Sequence, residues 1–258
     1  NVGLWGQYDQ SRINILKRMG DKVWSYAPNT YMILEHFADN SEETVLSSYG
    51  FMLWGNCNHD YNEITMGYSG SVLGASYKGR GWSSPNLVGY MESHDEERLM
   101  YQNLMYGSSM GTYNVKTPST AISRMQAVNA FFLTIPGPKM IWQFGEIGYD
   151  VSITYPCMTS ECRTDPKPIK WAYYVDPDRN KLYRSISALN KLKTTLPVFE
   201  TTDFSIDGAN KTKRISLNDP SMYVCVIGNF DVTTLTINPQ FQSTGKWYDY
   251  FSGDSIIV

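Results

Sequence analysis

Glu35 follows the short apolar run Tyr31 to Leu34 and precedes His36 and Phe37. A carboxyl held against an apolar ring and a low-dielectric wall keeps its proton to higher pH than a free one, which is the property of a general acid. A helix-capping or salt-bridged carboxylate is the structural alternative. The stretch YMESHDEERLM, residues 90 to 100, sets Glu92, His94 and Asp95 directly after a second apolar run, Leu87 to Met91. Imidazole beside carboxylate serves equally as a hydrogen-bonded structural pair or as a metal-ligand pair. Both groups stand where an apolar run ends, so the elements that carry the runs decide what the groups can reach.

Ile13, Leu16, Met19 and Val23 recur at helical spacing, and Pro28 closes that segment. Tyr31 to Leu34 then reads as a strand buried on both faces of a parallel sheet. Asn40, with Glu43 three residues on, reads as an N-cap and capping-box pair that opens a helix through Val45 and Leu46. Phe51 to Trp54 is the second run. Leu87 to Met91 is the third, after a long Gly/Ser/Tyr-rich loop, and Met140 to Phe144 the fourth, after a helix marked by Ile122, Met125, Val128 and Phe132. Strands alternating with helices indicate parallel βαβ units. The strand ends carry Glu35, Trp54-Gly55-Asn56, His94-Asp95 and Gly145-Glu146, and a (β/α)8 barrel draws its catalytic residues from such C-terminal ends.

A whole barrel needs eight strands and about 250 residues, yet four strands precede residue 200. A helix through Leu182, Ile186, Leu189 and Leu192 ends at Pro197, and short alternating runs follow: Arg214 to Leu217, Met222 to Ile227, Thr233 to Ile237 and Lys246 to Phe251. The pattern therefore predicts an α/β chain in two parts. Residues 1–197 form the C-terminal half of a (β/α)8 TIM barrel, strands five to eight, and residues 198–258 a small antiparallel β-sandwich-like domain that stops before its final strands. In such a sheet Tyr31 to Leu34 and Met140 to Phe144 are the two edges. Ile33, Met52 and Ile141 then face water unless another chain or the missing half covers them.

The net charge of −3 and the absence of Lys/Arg clusters argue against nucleic acid or an anionic membrane as partner. No apolar run approaches the roughly 18 residues of a membrane span. Aromatic residues make up 14% of the chain, with 19 Tyr and 7 Trp, and flat rings suit sugar faces as well as core packing. Cys57 and Cys225 lie in separate apolar runs and read as buried thiols, whereas Cys157 and Cys162 are close enough in sequence to bridge across a loop.

In order, ILEHFADN, MLWGN, VGYMESHDEERLMY and IPGPKMIWQFGEIGYD resemble strands five to eight of the α-amylase superfamily, glycoside hydrolases acting on α-glucans. RTDPKPIKW and GKWYDYFSGD resemble segments of its bacterial members. The resemblance spans nearly the whole chain and implies a retaining α-glucan hydrolase cleaving α-1,4 bonds of starch or maltooligosaccharides. It implies Glu35 as the acid/base and Asp95 as the second carboxylate, favouring the distorted, oxocarbenium-like ring. It further implies His94, His36, Trp54, Arg163 and Asp165 at the substrate, with Arg98 orienting Asp95 or its helix. An extracellular or periplasmic location would suit the enzyme and a Cys157–Cys162 bridge. No cofactor is implied for this chain, and calcium only for a full-length parent.

The resemblance is incomplete at one decisive point. The family takes its nucleophilic Asp from the end of strand four, two residues after an Arg, and no such motif is present; Asp9 lacks an apolar strand before it. The chain on this reading starts after strand four, is inactive alone, and has the missing barrel half as its partner. Three rivals remain: an α-glucan transglycosylase, a catalytically degenerate α-glucan-binding or structural protein, and a metal-dependent hydrolase using His94-Asp95 with His36 and His59. Retention of Glu35, His94 and Asp95 argues against the degenerate protein. The three His show no close ligand spacing, which argues against the metal.

Overall fold

The computed structural model describes residues 4–258. Helix α1 (Gln10–Tyr26) is capped by Asp9, whose carboxylate accepts the N–H groups of Ser11 and Arg12. Gly20 lets it close on the sheet, since a Cβ there would lie 2.5 Å from the ring of Phe51. Strand β1 (Ile33–Leu34), helix α2 (Asn40–Tyr49), strand β2 (Met52–Asn56) and helix α3 (Asn58–Met66) follow. Strand β3 (Leu87–Tyr90) leads to helix α4 (Leu99–Tyr106), then to the hairpin β4 (Ser109–Met110) and β5 (Tyr113–Asn114). Helix α5 (Pro118–Thr134), strand β6 (Lys139–Met140) and helix α6 (Pro177–Thr195) complete this part.

The four strands pair in parallel in the order β1-β2-β3-β6, so β1 and β6 are the edges, as the pattern predicts. On one face Leu53 and Leu87 join Tyr61, Phe132 and the rest of the helix-covered core. Ile33 is paired with Met52 and Trp54 with Val88 on the other. There Ile33 is 40% exposed, while Met52 is half-buried, as is Ile141, which packs on the core. That face is therefore only partly open to water.

The N-cap of α2 is Asp39, which accepts Ser41 N–H at 2.8 Å. This corrects the expectation of Asn40, which is the first helical residue. Glu43 is buried and paired with Arg80 rather than with a cap. Its neighbour Glu42 takes Arg12 Nε and Nη2, the N–H of Asp9 and His36 Nε2, at 2.7–2.8 Å. Burial pushes the Glu42 carboxyl up, but these donors outweigh it and hold it below its ordinary value. A carboxyl depressed in the folded state stabilises fully above its unfolded value and loses that contribution as pH falls through the folded one. Glu42→Gln should therefore cost about 2–3 kcal/mol at pH 7. The gap in Tm from wild type should narrow as pH is lowered from 5 towards 3, and an unchanged gap in that series would contradict the account.

Strands β7 (Phe204–Asp207), β8 (Thr212–Asp219) and β9 (Met222–Asn229) form an antiparallel sheet, and β10 (Lys246–Tyr248) pairs with β11 (Ser255–Ile257). Thr233 to Ile237, expected as a strand, is irregular, and β7 was not expected. The core runs unbroken into this part: Phe131 stacks edge-on against Phe230 at 5.1 Å, and Phe204, Ile215 and Leu217 join the same cluster. Among the described residues no helix is long and apolar enough to cross a membrane.

Candidate active site

The C-terminal ends of β1, β2 and β3 open on one side of the sheet. Tyr90 closes β3 with its ring buried and 6.1 Å from that of Trp54, edge to face. Burial pushes the Tyr90 phenol up, and the negative fields of Glu96, Glu35 and Asp95 push it further. Carboxylates from two strand ends thus act on one phenol. Glu35 is exposed.

His36 does not join them. Successive side chains of an extended segment point to opposite sides, so Glu35 facing out turns His36 in, onto Glu42. Its expected contact with substrate is replaced here by a buried ion cluster with Arg12.

The 91–99 loop is held from within. Asn58 Nδ2 donates to the carbonyls of Met91 (2.7 Å) and Glu97 (2.9 Å). Glu96 accepts Asn56 Nδ2 at 2.6 Å and the Ser93 hydroxyl. Glu92 is buried, accepts Leu99 N–H at 2.7 Å, and is pushed up chiefly by burial. Gly145 allows the close fit, because a Cβ there would lie 2.7 Å from Glu92 Oε2. Arg98 is buried over the rings of Tyr149 and Trp142, at 5.1 and 5.9 Å. Of the charges around it Glu92 acts on it most strongly, and it stands at the N-cap of α4.

The ion pair with Asp95 falls to Arg163, whose Nη2 lies 2.6 Å from Asp95 Oδ1. His94 Nε2 is 3.5 Å from Asp95 Oδ2, and its ring is 5.9 Å from Trp142. Asp165 is exposed in the same loop as Arg163, and Cys157 and Cys162 are bridged, with Cα atoms 5.9 Å apart. Asn56, Asn58, His59, Asp60 and Glu96 line an adjoining cavity of about 350 Å³. Asn58, Glu96 and Trp142 had no sequence signal beyond lying near strand ends. Among the described residues no group of three or more His, Cys, Asp or Glu side chains is placed to hold a metal ion.

The chain matches no family model and no curated protein. Solved structures do match. An Anoxybacillus α-amylase superposes over 95% of this chain and 58% of its own, at 11% identity and a TM-score of 0.57. The fold is that of part of an α-amylase-family protein. A debranching enzyme from Nostoc punctiforme shares it over 93% of this chain and 51% of its own (13% identity, TM-score 0.58), as does AmyP, solved with maltose, over 81% and 46% (14%, 0.59). The chain thus spans about half the length of the α-amylase-family structures it matches.

Proposed function

We propose that this chain carries strands five to eight of the barrel of a retaining α-glucan hydrolase of the α-amylase family, residues 1–197, with residues 198–258 as the start of its C-terminal β domain. The observation that carries the reading is the place of Glu35 and Asp95, both beyond the C-terminal ends of strands in one parallel sheet, with both carboxylates acting on the phenol of Tyr90. In it Glu35 protonates the glycosidic oxygen as the C1–O bond breaks, then takes a proton from the water that attacks C1. Asp95 stabilises the positive ring and, with His94, accepts and donates hydrogen bonds to sugar hydroxyls. Trp54 and Asp165 border the substrate. The covalent partner on C1 would come from the missing half, and a transglycosylase would use the same residues with a sugar hydroxyl in place of water. The AmyP complex with maltose supports an α-glucan as ligand, and the disulfide supports an extracellular or periplasmic setting. This chain needs no cofactor of its own in the reading; calcium would belong to the parent.

The test is binding. Maltotriose added to the isolated chain should shift the imidazole resonances of His94 and the indole N–H of Trp142 with a Kd of roughly millimolar, about 4 kcal/mol. Asp95→Asn should remove the response. Equal shifts with cellobiose, whose linkage is β, or none with maltotriose, would overturn the reading.

A further inference from the structure

Segments 93–98 and 152–167 are fastened to each other at two places. At the first, Glu97 accepts the Ser152 hydroxyl at 2.7 Å and Ile153 N–H at 2.9 Å. At the second, Arg163 Nη2 donates to Asp95 Oδ1 at 2.6 Å and to the Asp95 carbonyl at 3.0 Å. Between them lies the Cys157–Cys162 bridge, which closes a small ring ending one residue before Arg163. Lys167 Nζ gathers the turn beyond it, donating to the carbonyls of Cys162, Arg163 and Asp165 at 2.8, 3.3 and 2.7 Å.

We propose that Arg163 is a positioning residue for the Asp95 carboxylate and that the Cys157–Cys162 disulfide sets its reach, so that the oxidation state of the two cysteines controls how Asp95 is presented. An ion pair as exposed as Arg163–Asp95, with each side chain 45% exposed, is weak when both partners are free to move. Here the backbone of one partner is held: the bridge removes freedom from 157–162, and Lys167 holds the next turn. A dithiol such as dithiothreitol undoes this by exchange. Its two thiols become a cyclic disulfide, and the two electrons and two protons pass to Cys157 and Cys162 as thiols. The Glu97 fastening contains no cysteine, so reduction loosens the Arg163 end, left with Lys167 but no bridge to hold it, while the other end stays tied. Asp95 then keeps His94 beside it at 3.5 Å.

The orientation of Asp95 is independent of what the site binds; only the consequence for sugar rests on the α-glucan reading. The experiment follows the side-chain 13Cγ resonance of Asp95, assigned with Asp95→Asn, in the whole chain. Arg163→Gln and treatment with dithiothreitol should displace it in the same direction, as should the Cys157→Ser/Cys162→Ser double variant. Arg163→Lys should restore it towards wild type, and Glu161→Gln, within the disulfide ring, should leave it in place. Far-UV circular dichroism should be unchanged throughout. A resonance unmoved by Arg163→Gln, or one that moves there but stays put in both the reduced and the double-Ser protein, overturns the proposal. Maltotriose affinity should fall about fivefold or more in the displaced forms. If the resonance moves as expected but oxidised wild type binds no maltotriose, the positioning role is upheld and the α-glucan reading fails.

Discussion

Glu35→Gln, made in the longer polypeptide that completes the barrel, should lower α-glucan turnover by roughly 10²–10⁴-fold, the usual contribution of a general acid/base. Gln keeps the shape and hydrogen-bonding reach of Glu but has no proton to give to the leaving oxygen and no charge to draw one from water. Turnover should therefore collapse while KM changes little, the pattern of a group that acts only in the transition state. Loss of less than about tenfold would place the acid elsewhere, Glu96 being the next candidate because its charge too acts on Tyr90. The isolated chain should show no hydrolysis at all. A retaining mechanism needs a nucleophilic carboxylate about 5–5.5 Å from the acid, and the family motif that would supply it is absent from the 258 residues. Hydrolysis by the isolated chain that disappears in Glu35→Gln would show that a nucleophile lies within it.

What was legible follows from which signals are local. The apolar runs placed four strands in the right order, with β1 and β6 at the edges, because strands of a parallel sheet are apolar at successive positions; of the fourth run, Met140 to Phe144, only Met140 lies in a strand, β6 being Lys139–Met140. Helix α3 was hidden in a stretch read as loop. In α3 the buried residues include the polar Asn58, Asn62 and Thr65, of which Asn58 bonds to the 91–97 loop and the other two within the helix, so the buried face carries no plain hydrophobic period. Thr233 to Ile237 alternates like a strand but has no strand to pair with among the described residues; alternation gives a face and says nothing of a neighbour. At the site, the places of Glu35 and Asp95 just beyond strand ends follow from where the apolar runs stop. His36 was misplaced because adjacency in sequence is opposition in an extended chain, and Arg163 met Asp95 itself rather than open cleft because a contact across 68 residues leaves no mark on local pattern.

The largest loss of stability should come from a residue far from the carboxylates, in Arg124→Met. Arg124 lies mid-way along α5, 4% exposed, and its guanidinium is shared among three parts of the fold. It donates to the carbonyls of Ile64 at 2.7 Å and Thr65, in the last turn of α3, where carbonyls lack the usual helical partner and Ile64 has otherwise only the long bond from Gly67 N–H at 3.3 Å. It also donates to the carbonyls of Phe230 and Asp231, at 2.7 and 3.2 Å, just beyond β9, and to the Tyr113 hydroxyl at 3.2 Å. Met fills similar space and carries no donor, so those carbonyls would be left in a buried setting at about 1–3 kcal/mol each where water does not reach them. Partial entry of water brings the total to about 3–5 kcal/mol, a large share of the ~5–15 kcal/mol that holds a typical domain. For a chain of this length that is a fall in Tm of roughly 10–15 °C. Lys should recover only part of it, because a single ammonium cannot span acceptors that a planar fork meets at once. Hydrogen exchange separates this from a general loosening: amides at the C-terminal end of α3 and around Phe230 should lose protection together, since one side chain holds both. A Tm within about 3 °C of wild type, or loss of protection at only one of the two, would mean that the carbonyls find other donors. The link reaches the site as well, because Asn58 at the other end of α3 holds the loop that carries Asp95, so freeing α3 at Arg124 should weaken maltotriose binding without any change to a residue that touches it.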